Sequence, residues 1–269
     1  MIINNIDKVK PLVHCITNYV TVNDVANILL AANASPIMAD SIKEAKQITK
    51  ISNALYLNIG TANERTFESM LISAKTANKN NIPIILDPVG VGASTFRNEC
   101  IDKLLKTAQI AVIRGNISEI KSIALNQNST RGVDAQETDS ISLENQEAII
   151  GMAKKLSKET KAIIAISGKI DVICDSEKCA LLYNGNQMMA NITGAGCMLT
   201  SLIAAHVASN TNYFSATLSA ISQMNIAGEI AYKLMQPYQG NASYRTLLID
   251  AINKIDTQKI KENIKYEIR

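Results

Sequence analysis

A chain of 269 residues, 47% hydrophobic and 19% charged, has the composition of a folded protein with an ample core and not of a disordered one. A formal charge of +3, 4% aromatics and no tryptophan argue against a nucleic-acid or base-stacking surface. No apolar run reaches the roughly 20 residues needed to span a bilayer, and the opening "MIINNIDKVK" lacks a signal-type apolar core.

The elements follow in chain order as an alternation. "LVHCIT" reads as a buried strand and "VNDVANILLAAN" as an amphipathic helix. "SPIMA" and "ALYLNIG" are strands; "NERTFESMLISAKTANKN" is a helix; "IPIILDP" and "IAVIRG" are strands. "ENQEAIIGMAKKLSKET" is a helix and "AIIAISG" a strand. Strand–helix–strand repetition predicts a mostly parallel sheet covered by helices on both faces, an α/β fold in one domain over 1–269. After residue 169, "DVICDS" and "CALLYNG" lie close enough to form an antiparallel hairpin at a sheet edge. From about 196 onward the pattern is helical nearly to the end, interrupted at "QPYQGNA". The polar segment 126–140 reads as a solvated loop, with a place bordering a ligand site or a subunit interface as the alternative.

Parallel sheets bind ligands beyond the carboxyl ends of their strands, so the strand exits carry the chemistry. In "ILDPVGVGAS", Asp87 leaves an apolar strand ahead of Gly90 and Gly92. It can hold a cation, or simply cap the next helix. In "VIRGNISEI", the strand ends at Arg114, a planar cation suited to phosphate oxygens; Ser118 can cap the helix. Glu119 then serves either Mg²⁺ or the helix dipole. "IIAISGK" places the Ser167 hydroxyl and Gly168 at an exit without P-loop spacing. In "NITGAGCMLTSLIAA", Gly194 and Gly196 precede an apolar helix opening at Cys197. A glycine-rich turn feeding a helix gathers unpaired N–H groups for an anion; the alternative is a Thr193-capped helix with glycines for close packing. Arginine, two acids and glycine-rich turns are together the parts that phosphoryl transfer needs.

The segments "VHCITNYVTVNDVANILLAANASPIMAD", "DPVGVGAS", "IRGNISEI" and "ITGAGCMLTSLIAA" resemble the hydroxyethylthiazole kinases of thiamine salvage, almost end to end. The resemblance implies a ribokinase-like three-layer fold and a homotrimer with active sites between subunits. It implies transfer of the ATP γ-phosphoryl group to the side-chain hydroxyl of 4-methyl-5-(2-hydroxyethyl)thiazole, with Mg²⁺. By motif position it assigns Met38, Gly194 and Asn18 to the thiazole, and Arg114 and Ser167 to ATP. It assigns Asp87 and Glu119 to Mg²⁺, and Gly194, Gly196 and Cys197 to catalysis. Serine at 167 keeps the hydroxyl where other members carry threonine.

Related sugar kinases carry aspartate at the Cys197 position. A thiol near a pKa of ~8.5 is a limited base, so most catalysis is expected from the 194–197 amides and Mg²⁺. Cys197→Asp is then expected to preserve or raise turnover. The competing readings are another ribokinase-like kinase, a hydrate dehydratase, or a thiazole- or nucleotide-binding protein without catalysis. A dinucleotide-binding dehydrogenase is disfavoured, since no G-x-G-x-x-G follows the first strand. Cys15, Cys100, Cys174, Cys179, His14 and His206 read as packing or structural residues. Their spacing does not supply zinc with four soft ligands, and a reducing cytoplasm is the expected compartment.

Overall fold

The computed structural model describes residues 4–127 and 145–269. The chain forms α1 (Asn4–Val9), β1 (Leu12–Ile16), α2 (Val22–Ala31), β2 (Ser35–Ile37), α3 (Ala45–Ile51) and β3 (Ala54–Asn58). It continues through α4 (Glu64–Lys79), β4 (Ile84–Asp87), α5 (Thr95–Thr107), β5 (Val112–Asn116), α6 (Ile117–Gln127), α7 (Gln146–Thr160) and β6 (Ile163–Ser167). Next come β7 (Asp171–Cys174), β8 (Cys179–Leu182) and a 3₁₀ turn at Gln187–Asn191. Then follow α8 (Ala195–Ala208), α9 (Tyr213–Leu234), α10 (Asn241–Lys254), α11 (Thr257–Asn263) and β9 (Tyr266–Ile268).

The strands form one sheet in the order β2-β1-β3-β4-β5-β6-β7-β8-β9. Pairing is parallel from β2 through β6 and antiparallel from β6 through β9. Successive side chains of a strand face opposite layers. Tyr56 therefore joins the core shared with α2, α8, α9 and α10, while its neighbours Leu55 and Leu57 join the core shared with α4, α5, α6 and α7. The expected three-layer α/β arrangement is present.

Four sequence expectations change. β5 does not turn at Gly115 but continues to Asn116. Asn116, not Ser118, caps α6: its Oδ1 accepts from the Glu119 amide at 2.8 Å, and Glu119 Oε2 accepts from the Asn116 amide at 2.8 Å. The β7–β8 hairpin is antiparallel as expected, but the edge is β9, which pairs with β8. Cys174 and Cys179 are not isolated packing residues. They lie directly opposite in the hairpin register with Cα atoms 4.2 Å apart, and they form a disulfide. From residue 128 on, the segment 126–140 lies outside the described residues.

Cys15 and Cys100 are buried free thiols. His14 bonds Thr49 and the Ala39 carbonyl, and His206 bonds Gln223 at 2.8 Å; both imidazoles are buried. No helix among the described residues is long and apolar enough to cross a membrane.

Candidate active site

The strand order reverses between β1, which continues to β2 on one side, and β3 on the other, the place where open parallel sheets bind ligands. Helix α8 packs against β1, β3 and β4 and brings its N-terminus there, where Asn18 beyond β1 and Asn58 on β3 meet Cys197. It is buried along nearly its whole length, from Cys197 to Val207, and so reads as apolar on every side. Its first intrahelical bond runs from the Met198 amide to the Gly194 carbonyl, at 2.8 Å. The amides before it are left by helix geometry for an anion.

Two glycines make this turn possible. Gly194 has φ +90°, the left-handed region, and a Cβ there would lie 2.8 Å from Thr21 Cγ2. A Cβ on Gly196 would collide with Arg114 Nη1. The close approach of helix and guanidinium therefore requires glycine at 196.

A cavity of about 250 Å³ gathers Asp87, Val89, Arg114, Asn116, Glu119, Gly194, Gly196 and Cys197. Six residues read from the sequence thus meet at one place. Asn18 joins them through its Nδ2, which donates to Cys197 Sγ at 3.3 Å, and Ser167 Oγ accepts from Arg114 Nη2. Met38 is not brought to the cavity wall; half-buried, it packs on the core shared with α8.

Asp87 is fully buried at the end of β4, beside its register partner Asn58. Its Oδ2 accepts from Thr200 Oγ1 at 2.8 Å, Asn58 Nδ2 at 3.2 Å and Tyr56 Oη at 3.3 Å; Arg114 Nη1 lies 4.0 Å away. Burial pushes the carboxyl up to about 6 against the pull of Arg114, with Glu119 adding to the rise. Desolvation also raises the Cys197 thiol above its ordinary value, and the Asp87 charge reinforces this. Bonds from Thr21, Asn18 and Asn58 act in the opposite direction.

Among the described residues, Asp87 Oδ1 and Arg114 Nε are buried without a hydrogen-bond partner. An orphaned carboxylate oxygen, on a residue that shares the cavity wall with a second acid, suits a divalent cation whose remaining ligands come from phosphate and water. Glu119 is already engaged, since its Oε1 accepts from the Gly90 amide at 2.9 Å and its Oε2 from Asn116. Of the two alternatives the sequence left, Mg²⁺ or the first turn of the helix, the contact with Asn116 is that of the helix start.

Sequence reading missed Tyr56, Asn58, Thr200 and Asn116. Asn58 carried a usable signal, being the polar terminus of a strand buried at every position. Thr200 carried none, because its place one turn into α8 becomes meaningful only when that helix faces β4.

The family model for the hydroxyethylthiazole kinase family matches residues 3–258. The chain belongs to the hydroxyethylthiazole kinase family. The hydroxyethylthiazole kinase of Clostridium acetobutylicum is 49% identical over 266 residues, covering 98% of this chain and 97% of that one. The structure of hydroxyethylthiazole kinase from Pyrococcus horikoshii OT3 superposes with a TM-score of 0.89 at 30% identity, covering 99% and 97% of the two chains. The pyridoxal kinase of Staphylococcus aureus, 16% identical with a TM-score of 0.63 and coverage of 96% and 98%, shares the fold. The three-layer α/β class read from the sequence therefore holds for the described residues.

Proposed function

We propose that this chain phosphorylates the side-chain hydroxyl of 4-methyl-5-(2-hydroxyethyl)thiazole with ATP, as a thiamine-salvage kinase of a single catalytic domain over 1–269. The observation that carries the reading is the meeting, in one cavity, of the glycine-built N-terminus of α8, Arg114, two acids and Cys197.

The γ-phosphoryl group passes through a loose transition state, so the protein acts mainly by positioning and by stabilising charge. Amides of the 194–197 turn receive the negative charge on the transferred group. Arg114 presents its guanidinium to phosphate oxygens, and Ser167 fixes the fork from the neighbouring strand. Asp87 and Glu119 would hold Mg²⁺, which supplies Lewis-acid neutralisation of the phosphates when bound. Cys197 lies on the cavity wall where the hydroxyl must enter. Its raised pKa keeps it mostly protonated near neutrality, so its contribution as a base is secondary. Asn18 on the β1 exit completes the alcohol side; the assignment of Met38 to the thiazole rests on its place in "SPIMA".

A cavity of about 250 Å³ accommodates the reacting groups but falls below the usual ~300–1,000 Å³ of a complete ligand pocket. A homotrimer in which a neighbouring subunit completes the pocket accounts for that size. We place its action in the cytoplasm because the reaction consumes ATP.

The test is ADP release from Mg²⁺-ATP with and without the thiazole alcohol, using hydroxymethylpyrimidine as control. Stimulation by the thiazole alone supports the reading. Equal stimulation by the pyrimidine favours another small-alcohol kinase, and thiazole binding without ADP release favours a non-catalytic binder.

A further inference from the structure

Beside the cavity, Asn58 is the buried side chain that joins Cys197 to Asp87. Asn58 closes β3, is 1% exposed, and touches the Cys197 sulfur and the Asp87 carboxylate with a single carboxamide. The orientation of that carboxamide is fixed by groups that can only donate. Asn58 Oδ1 accepts from the Gly60 backbone amide at 2.8 Å, so its Nδ2 must face the other way. Asn18 is fixed likewise, because its Oδ1 accepts from the Thr21 backbone amide at 3.0 Å. Both amide nitrogens are thereby turned on Cys197 Sγ, each at 3.3 Å. Asn18 Nδ2 also donates to Asn58 Oδ1 at 3.2 Å, which locks the two side chains together.

Asn58 Nδ2 has two hydrogens and faces three acceptors: Tyr56 Oη at 2.9 Å, Asp87 Oδ2 at 3.2 Å and Cys197 Sγ at 3.3 Å. One hydrogen serves the sulfur while the other is shared by the Tyr56–Asp87 pair, which is itself bonded. The geometry points to Asn58 as a positioning residue for phosphoryl transfer, acting through Cys197. It occupies the sulfur's lone pairs on the protein side, fixes the sulfur against the α8 turn and sets which face meets the incoming hydroxyl. This inference rests on the kinase reading above.

The test compares Asn58→Ala and the equal-sized Asn58→Asp with wild type at saturating Mg²⁺-ATP. Both remove the amide donors, and Asn58→Asp turns an acceptor toward three acceptors. For each, kcat is expected to fall at least about tenfold while KM for ATP stays within about twofold. If the alanine variant does not fold, the aspartate variant carries the comparison. In a Cys197→Ala background the same substitutions are expected to cost at least about threefold less than in wild type, the remainder coming from the Asp87 carboxylate that Asn58 also touches. Equal costs in the two backgrounds would make Asn58 merely structural and overturn the inference.

A second readout needs no turnover. The Cys197 S–H stretching band, isolated by infrared difference against Cys197→Ala, should shift in the Asn58 variants; an unmoved band overturns the inference. Wild-type protein without thiazole-stimulated ADP release would remove the kinase reading. Normal wild-type release with unaltered kcat in both variants would remove only the role of Asn58.

Discussion

The parallel part of the sheet, β2 through β6, and the antiparallel edge, β7 through β9, are continuous in hydrogen bonding but differ in what their ends do. Parallel strands need crossovers, so every exit lies at the same end. Asn18 beyond β1, Asn58 on β3, Asp87 on β4, Arg114 on β5 and Ser167 on β6 all reach that end, where α8 delivers its amides. In the edge, strand ends alternate, and their polar residues close turns, tie the edge to α9 or pair on the surface instead of gathering at one place. Asp175 Oδ1 accepts from the Glu177 and Lys178 amides, each at 2.8 Å, which simply closes the β7–β8 turn. Arg269 pairs with Glu147 and, at 2.6 Å, with Glu267 on the surface. A polar residue ending a parallel strand is a candidate for chemistry; one ending an antiparallel edge strand is first a turn residue.

The substitution that should break this contrast most sharply is Gly196→Ala. Its methyl group would collide with Arg114 Nη1, separating the guanidinium from the α8 amides. Alanine also favours the helix by up to about 1 kcal/mol, so stability should barely change. The expected result is at least about a hundredfold loss of kcat/KM with a denaturation midpoint near wild type. Activity within threefold of wild type would show that the close approach is not used.

Next in size are the two acids. Asp87→Asn should raise the half-saturating Mg²⁺ concentration at least about tenfold, because the orphaned Oδ1 loses its charge. Glu119→Gln should raise it less, since both of its carboxylate oxygens already accept backbone bonds. Identical Mg²⁺ titrations for both variants and wild type would remove both residues from the metal site.

The edge should respond in the opposite sense. The Cys174–Cys179 disulfide closes a loop of separation 5, for which chain entropy predicts about 2 kcal/mol of stabilisation. Reduction should lower the denaturant-derived stability by that amount and leave kcat unchanged. A fall in kcat without unfolding would tie the edge to the site.

What could be read in the sequence follows the same division. Strand exits in the parallel part are visible one at a time, because an apolar run ending in Asp, Arg, Ser or Gly is a local signal. Asp87, Arg114 and Ser167 carry that signal, whereas Gly194, Gly196 and Cys197 are legible as a glycine-rich helix start. In "ALYLNIG" the signal is blurred, because apolar Ile59 follows Asn58 and the run reads on to Gly60. Edge features depend on register, which a single strand does not reveal. The Cys174–Cys179 pair exists because two residues face each other across a hairpin, and the three residues of β9 are too few to show a period. Gly196 was legible as a glycine before a helix, but its reason, the side chain of Arg114, comes from a strand over 80 positions away.

Helix α8 repeats the contrast along its own length, and the smallest predicted effect tests it there. Its N-terminus serves the cavity, whereas His206 near its C-terminus is buried and bonded to Gln223, and desolvation holds its pKa down to about 4. An unfolded histidine titrates near ~6.5, so between these values the unfolded chain binds a proton that the native state refuses. Stability from this group is therefore lost as pH falls below about 6.5. Asp87 and Asp171, both pushed up to about 6, act oppositely: the native state takes up their protons first, which favours folding as pH falls. These opposed contributions flatten the wild-type profile, and His206→Gln removes one of them while leaving a polar partner for Gln223. From pH 7 to pH 5.5 the stability of the variant relative to wild type should rise by about 1 kcal/mol. Chemical denaturation at the two pH values measures the change. A difference that does not move with pH would mean that His206 takes up its proton in the native state as readily as in the unfolded chain.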